Sequence, residues 1–107
     1  MSVGIIRYKG NKFDNGLIFG KNVSTEAFYQ KYWSKAVSDT GSKLFKDGSQ
    51  FEVSDLEQVM SELQLQLAWA EGNLSGRDLD YMKERIENLL VCIPKACEES
   101  DEKFEIF

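Results

Sequence analysis

The chain has 107 residues, with 13 Lys and Arg against 18 Asp and Glu, a net charge of −5, 42% hydrophobic and 12% aromatic residues. That predicts one folded domain, residues 1–107, with a substantial core, and excludes a disordered tail. With no histidine and two cysteines, the commonest general base and a four-ligand zinc site are both missing. The glycines sit singly, as turn residues do, so no phosphate-binding loop, cofactor or metal is expected. The first residues hold no basic segment followed by an apolar run, and no stretch approaches the roughly 20 apolar residues of a membrane helix. The expected location is therefore cytoplasmic, where Cys92 and Cys97 read as small buried hydrophobes rather than a disulfide.

Residues 3–8, rich in β-branched and aromatic side chains, read as a strand. Lys9 to Lys12 form a turn, and residues 13–19 give a second strand with Asn15-Gly16 as a tight turn. Ser24 or Thr25 then caps a helix through about Asp39, with a Val23–Phe28 staple if Ser24 is the cap, and Gly41 ends it. Its aromatics, Phe28, Tyr29, Tyr32 and Trp33, read as core; the alternative leaves Tyr29 or Trp33 partly exposed as a binding anchor. Residues 43–53, with Asp47-Gly48, form either a small hairpin or a long connection.

Two helices, about 54–72 and 76–93, form the centre. Leu56, Met60, Leu63, Leu67 and Ala70 recur at helical spacing, and Val59, Leu65 and Trp69 widen the stripe. Ser54 and Glu57 suggest a capping box, and Gly72 a left-handed cap. Ser75 restarts the pattern, Leu74 can staple onto Leu79, and Leu79, Met82, Ile86, Leu89 and Ile93 share one face. Pro94 should break or kink the helix near residues 91–93, or open a short final turn. Residues 98–102 are an acidic linker, and Phe104, Ile106 and Phe107 read as an edge strand docked on the sheet. The expected class is α+β: three main helices, with a central antiparallel helical hairpin packed on a small antiparallel sheet from the N-terminal segment and the C-terminal strand. A helix-only bundle is the alternative.

Charge is unevenly spread. Residues 1–50 carry eight Lys and Arg against four acids, and residues 51–107 carry five against fourteen. Asp80, Glu84 and Glu87 fall at i, i+4 and i+7 on one helical stripe, away from Leu79, Met82 and Ile86. Glu71 and Asp78 flank the turn; Glu98, Glu99, Asp101 and Glu102 extend the negative charge. Such a face is either a solubilising surface or one complementary to a basic partner. Direct nucleic-acid binding needs clustered Lys and Arg, and Lys9, Lys12 and Lys21 are too scattered.

A short, acidic, histidine-free chain with an aromatic helix and an acidic helical hairpin resembles the immunity proteins of bacterial contact-dependent growth inhibition. The stretch from Gly72 to Arg85 (GNLSGRDLDYMKER) is its most suggestive part. The resemblance implies a non-enzymatic inhibitor, a monomer binding one-to-one to a basic toxin domain, with no direct nucleic acid and no membrane. The toxin would be a nuclease, a ribonuclease slightly favoured, whose basic cleft the acidic face fills. Partner-binding residues are then Glu71, Asp78, Asp80, Glu84, Glu87, Glu98, Glu99 and Asp101, with Tyr29 and Trp33 as anchors. Two other classes compete: a phage-type inhibitor or nucleic-acid mimic acting on a host enzyme, and a small enzyme using carboxylates and tyrosines.

Overall fold

The computed structural model describes residues 2–8, 19–99 and 103–106, with side chains described over 23–95 and at Phe104 and Ile106. The elements are β1 (Ser2–Tyr8), β2 (Phe19–Thr25), α1 (residues 26–40), β3 (Gln50–Phe51), a 3-10 turn (Val53–Asp55), α2 (Leu56–Asn73), α3 (Gly76–Glu99) and β4 (Lys103–Ile106). No described helix is long and apolar enough to cross a membrane.

The strands hydrogen-bond in the order β2-β1-β4-β3, with every neighbouring pair antiparallel. Ile5 faces Ile106 across β1 and β4, and Phe51 faces Phe104 across β3 and β4. The C-terminal strand therefore lies inside the sheet and not at its edge, because the two residues of β3 flank its other side. The second strand begins at Phe19 and runs to Thr25, later than expected; its Val23, Ser24 and Thr25 lead straight into the helix cap. The expected Lys9–Lys12 turn, residues 13–18 and the Asn15-Gly16 turn lie outside the described residues. A register shift between Val3 and Gly4 skips Val23 on β2.

The Thr25 Oγ1 caps α1 by accepting from the Phe28 amide at 3.2 Å. Within α1, residues Tyr29–Trp33 form one π-turn between α-helical segments Glu26–Phe28 and Ser34–Thr40. Tyr29 and Trp33 consequently stack inward, with ring centroids 6.3 Å apart and planes 8° from parallel. Gly41 ends the helix at φ 70°, the left-handed geometry that glycine adopts without steric penalty. Residues 43–49 are then an irregular connection; Gln50 and Phe51 form the ladder with β4, and Gly48 and Ser49 hydrogen-bond to the backbone of its Ile106.

The cap of α2 differs from expectation. Glu52 and Asp55 make the reciprocal box, the Glu52 amide donating to Asp55 Oδ2 at 3.0 Å. A 3-10 turn precedes the helix and moves the cap to Glu52, so Ser54 is left exposed within that turn. Gly72 stays inside α2; the helix closes at Leu74, and Gly76 takes the positive φ of 58°. The link is thus two residues, Leu74 and Ser75, and α3 folds back along α2. Helix α3 also runs through Pro94 to Glu99. Proline removes one i→i−4 bond, but Ile93 beside it is fully buried, and its packing holds the turns on either side.

The core joins Val59, Leu63 and Ala70 of α2 to Met82, Ile86, Leu89 and Ile93 of α3. Tyr29, Trp33 and Ala36 of α1 and Val23, Phe51, Phe104 and Ile106 of the sheet complete it, with Phe45 from the connection. Leu56, Met60, Leu67, Trp69 and Leu79 are only half-buried, and Leu65 is 53% exposed instead of widening the stripe. Two polar residues of α2, Glu62 and Gln66, are buried where α2 meets α1 and the 42–49 segment.

Candidate functional site

The packing of α3 decides which of its charges face water. Met82, Ile86, Leu89 and Ile93 bury one side, so Asp80, Glu84 and Glu87 emerge together, all exposed. Eight residues of helix place them within about 10 Å along the axis. Among the described residues, no hydrogen bond or ion pair engages any of the three. Lys83 is exposed between them, and Arg77 and Lys95 are exposed toward the two ends. The stripe is an acidic segment of a mixed face. Val91, one turn beyond Glu87, is 68% exposed and adds an apolar contact.

The other described candidates differ from that group in exposure or in place. Glu71 is exposed in the last turn of α2, and Asp78 is half-buried in the first turn of α3. Glu98 and Glu99 lie in the last turn of α3, about 30 Å along the axis from its start; their side chains and all of Asp101 are outside the described residues. Tyr29 and Trp33 are core residues, 7% and 0% exposed, which removes both as surface anchors. The physical reason is that each polar tip is satisfied internally. Tyr29 Oη accepts from the Asp47 amide at 2.7 Å, and Trp33 Nε1 donates to Gln66 Oε1 at 2.7 Å.

Two α3 side chains tie the helix to the sheet. Arg85 Nε donates to the Val23 carbonyl at 3.2 Å, where the register shift leaves that residue out of the ladder, and Tyr81 Oη accepts from the Thr25 amide at 3.1 Å. Arg85 is thereby tied to β2. The stripe stands on a helix fixed from behind by apolar packing and at one side by these two bonds.

A second polar cluster lies under residues 42–49. Glu62, 6% exposed, accepts from the amides of Lys43 at 3.1 Å, Leu44 at 2.9 Å and Phe45 at 2.8 Å, and from Gln58 Nε2 at 3.0 Å. Burial pushes its carboxyl upward, but those four donors together outweigh burial and hold it below the ordinary carboxylate range. Gln66, fully buried, donates to Ser42 Oγ at 2.9 Å and to the Phe45 carbonyl at 3.0 Å. Ser42 Oγ in turn lies 2.8 Å from Thr40 Oγ1. Each buried polar side chain of the cluster has at least one partner, which is how such a cluster is tolerated.

Cys92 is a half-buried free thiol donating to Asn88 Oδ1 at 3.2 Å. No group of three or more Cys, Asp and Glu among the described residues is placed to hold a metal. A depression of about 380 Å³, lined by Ser54, Asp55, Glu57, Gln58 and Ser61, opens to solvent beside the start of α2. The exposed stripe was legible from spacing; the buried Glu62 and Gln66 were not, since they sit among apolar positions without a motif of their own. No protein family, no characterised protein and no solved structure matches this chain.

Proposed function

We propose that the protein is a non-enzymatic binding protein that neutralises a basic toxin domain, as the immunity proteins of polymorphic toxin systems do. Its acidic α3 stripe lies in the partner's cleft where a nucleic-acid backbone would run. A nuclease fits this reading best, with a ribonuclease slightly favoured, bound one-to-one in the cytoplasm. The observation that carries the proposal is the exposure of Asp80, Glu84 and Glu87 on one side of α3 with no side-chain partner among the described residues. Carboxylates left unpaired on a fixed helix steer a cationic partner at long range and retain their hydration until contact. Val91 supplies a dry contact beside them.

The test is co-purification with the product of the adjacent gene, expected to carry a basic toxin domain, followed by stopped-flow at low and physiological salt. The triple change Asp80→Lys, Glu84→Lys and Glu87→Lys should slow association by about 10- to 100-fold, with the difference shrinking as salt rises. An association rate equal to that of the native chain would remove the acidic face from the mechanism.

A further inference from the structure

Residues 42–49 form few described hydrogen bonds among themselves: Ser49 N to the Lys46 carbonyl at 3.2 Å and Ser49 Oγ to the Lys43 carbonyl at 3.1 Å. What holds the segment comes from three other elements. Tyr29 of α1 takes the Asp47 amide; Glu62 and Gln66 of α2 take three amides, a hydroxyl and a carbonyl. Strand β4 adds Gly48 N to the Ile106 carbonyl at 2.7 Å and Ile106 N to the Ser49 carbonyl at 2.9 Å.

Two features make these anchors interdependent. One carboxylate carries three successive amides, so letting go of one strands a buried charge short of donors and weakens its hold on the others. Phe45 is 1% exposed and its carbonyl accepts from the buried Gln66, so its ring and that hydrogen bond leave together. We propose that residues 42–49 open and close as one flap, with Gly41 as the hinge and Glu62 as the catch, while α2, α3 and the sheet stay folded. Gly41 is suited to the hinge because it already holds φ at 70° with open space where a Cβ would stand. Opening strips Gln66 of Ser42 and the Phe45 carbonyl and uncovers the indole side of the core, a state in which another group could bind.

Native-state amide exchange by NMR on the full chain, across low urea concentrations, tests this. The amides of Lys43, Leu44, Phe45 and Asp47 should share one opening constant, larger than that of Met82, Ile86 and Leu89 and nearly independent of urea, because a flap exposes little surface. Tyr29→Phe removes only the acceptor for Asp47, yet should speed all four amides by the same factor, about tenfold. In Glu62→Gln the four should lose protection almost entirely while the α3 amides stay protected. Flap amides that match the α3 amides in rate and urea dependence would overturn the proposal. So would a Tyr29→Phe chain in which Asp47 alone exchanges faster. Neither readout involves a partner, so failure here leaves the acidic-face reading standing, and the reverse.

Discussion

Glu62 and the Asp80–Glu84–Glu87 stripe are carboxylates on adjacent helices that meet opposite fates. Glu62 points inward, is 6% exposed and is surrounded by four donors; the stripe is exposed and has no side-chain hydrogen bond or ion pair among the described residues. A charge inside the fold is spent on architecture, holding a segment that has little structure of its own. A charge outside it, left without a partner, is available for recognition. Acidity counted along the sequence merges the two.

The largest expected effect breaks this comparison at its buried end. Glu62→Ala orphans three amides and should lower stability by about 3 kcal/mol, read as a shift in the urea midpoint. Its pH signature follows from a carboxyl held low in the folded state. The stabilisation is fully present above the ordinary glutamate value of about 4.3 and is lost as pH falls through the lower folded value. Native chain and Glu62→Ala should therefore converge in acid. Parallel curves down to the acid transition would show that Glu62 is not the group concerned.

Gln66→Leu comes next, at about 2 kcal/mol, because it fills the space yet leaves Trp33 Nε1 and the Phe45 carbonyl without their partner and reduces Ser42 Oγ to its bond with Thr40 Oγ1. The near-UV signal of Trp33 should change with it; an unaltered spectrum and midpoint would mean that water takes over all three bonds. Tyr29 gives an alkaline counterpart. Burial first, and the Asp47 charge second, hold its phenol above the ordinary value, against the Asp47 amide that favours ionisation. The stability tied to the neutral phenol is whole below the ordinary tyrosine value of about 10 and is lost as pH rises through the folded value. Tyr29→Phe should cost about 1 kcal/mol at neutral pH and flatten that alkaline decline. A decline of unchanged steepness assigns it to another group.

The smallest effect belongs to the exposed end. Reversing Asp80, Glu84 and Glu87 should alter stability by less than about 0.5 kcal/mol each, since no partner among the described residues is lost. Circular dichroism melting of the triple variant is sufficient to check it. A loss comparable to that of Glu62→Ala would erase the distinction between the two sets.

Periodicity made the α2–α3 pair, the Gly41 stop and the exposed stripe readable, because one apolar face fixes where the opposite face must lie. What stayed hidden depended on tertiary partners. Ser54-Glu57 and Glu52-Asp55 are both plausible boxes three residues apart, and only the preceding 3-10 turn chooses between them. Gly72 and Gly76 compete for one turn, and Gly76 takes the positive φ. Tyr29 and Trp33 could be read as anchors because their inward rotation needs the π-turn, and their internal acceptors and donors lie 18 and 33 residues away. Of the candidate surface, the three α3 carboxylates were legible together. Glu71 and Asp78 at one end of the helix belong to a different region from Glu98 and Glu99 at the other.

The place of β4 bears on how the molecule is made. It is inserted between β1 and β3, with Ile5 opposite Ile106, so among the described strands β3 reaches the rest of the sheet through β4, a strand far later in the chain. The α2–α3 pair, closed by a two-residue link, can condense early, whereas this insertion joins residues from both ends of the chain and is entropically slow. Folding speed should therefore respond more to Phe104 and Ile106 than to any residue of the helical pair.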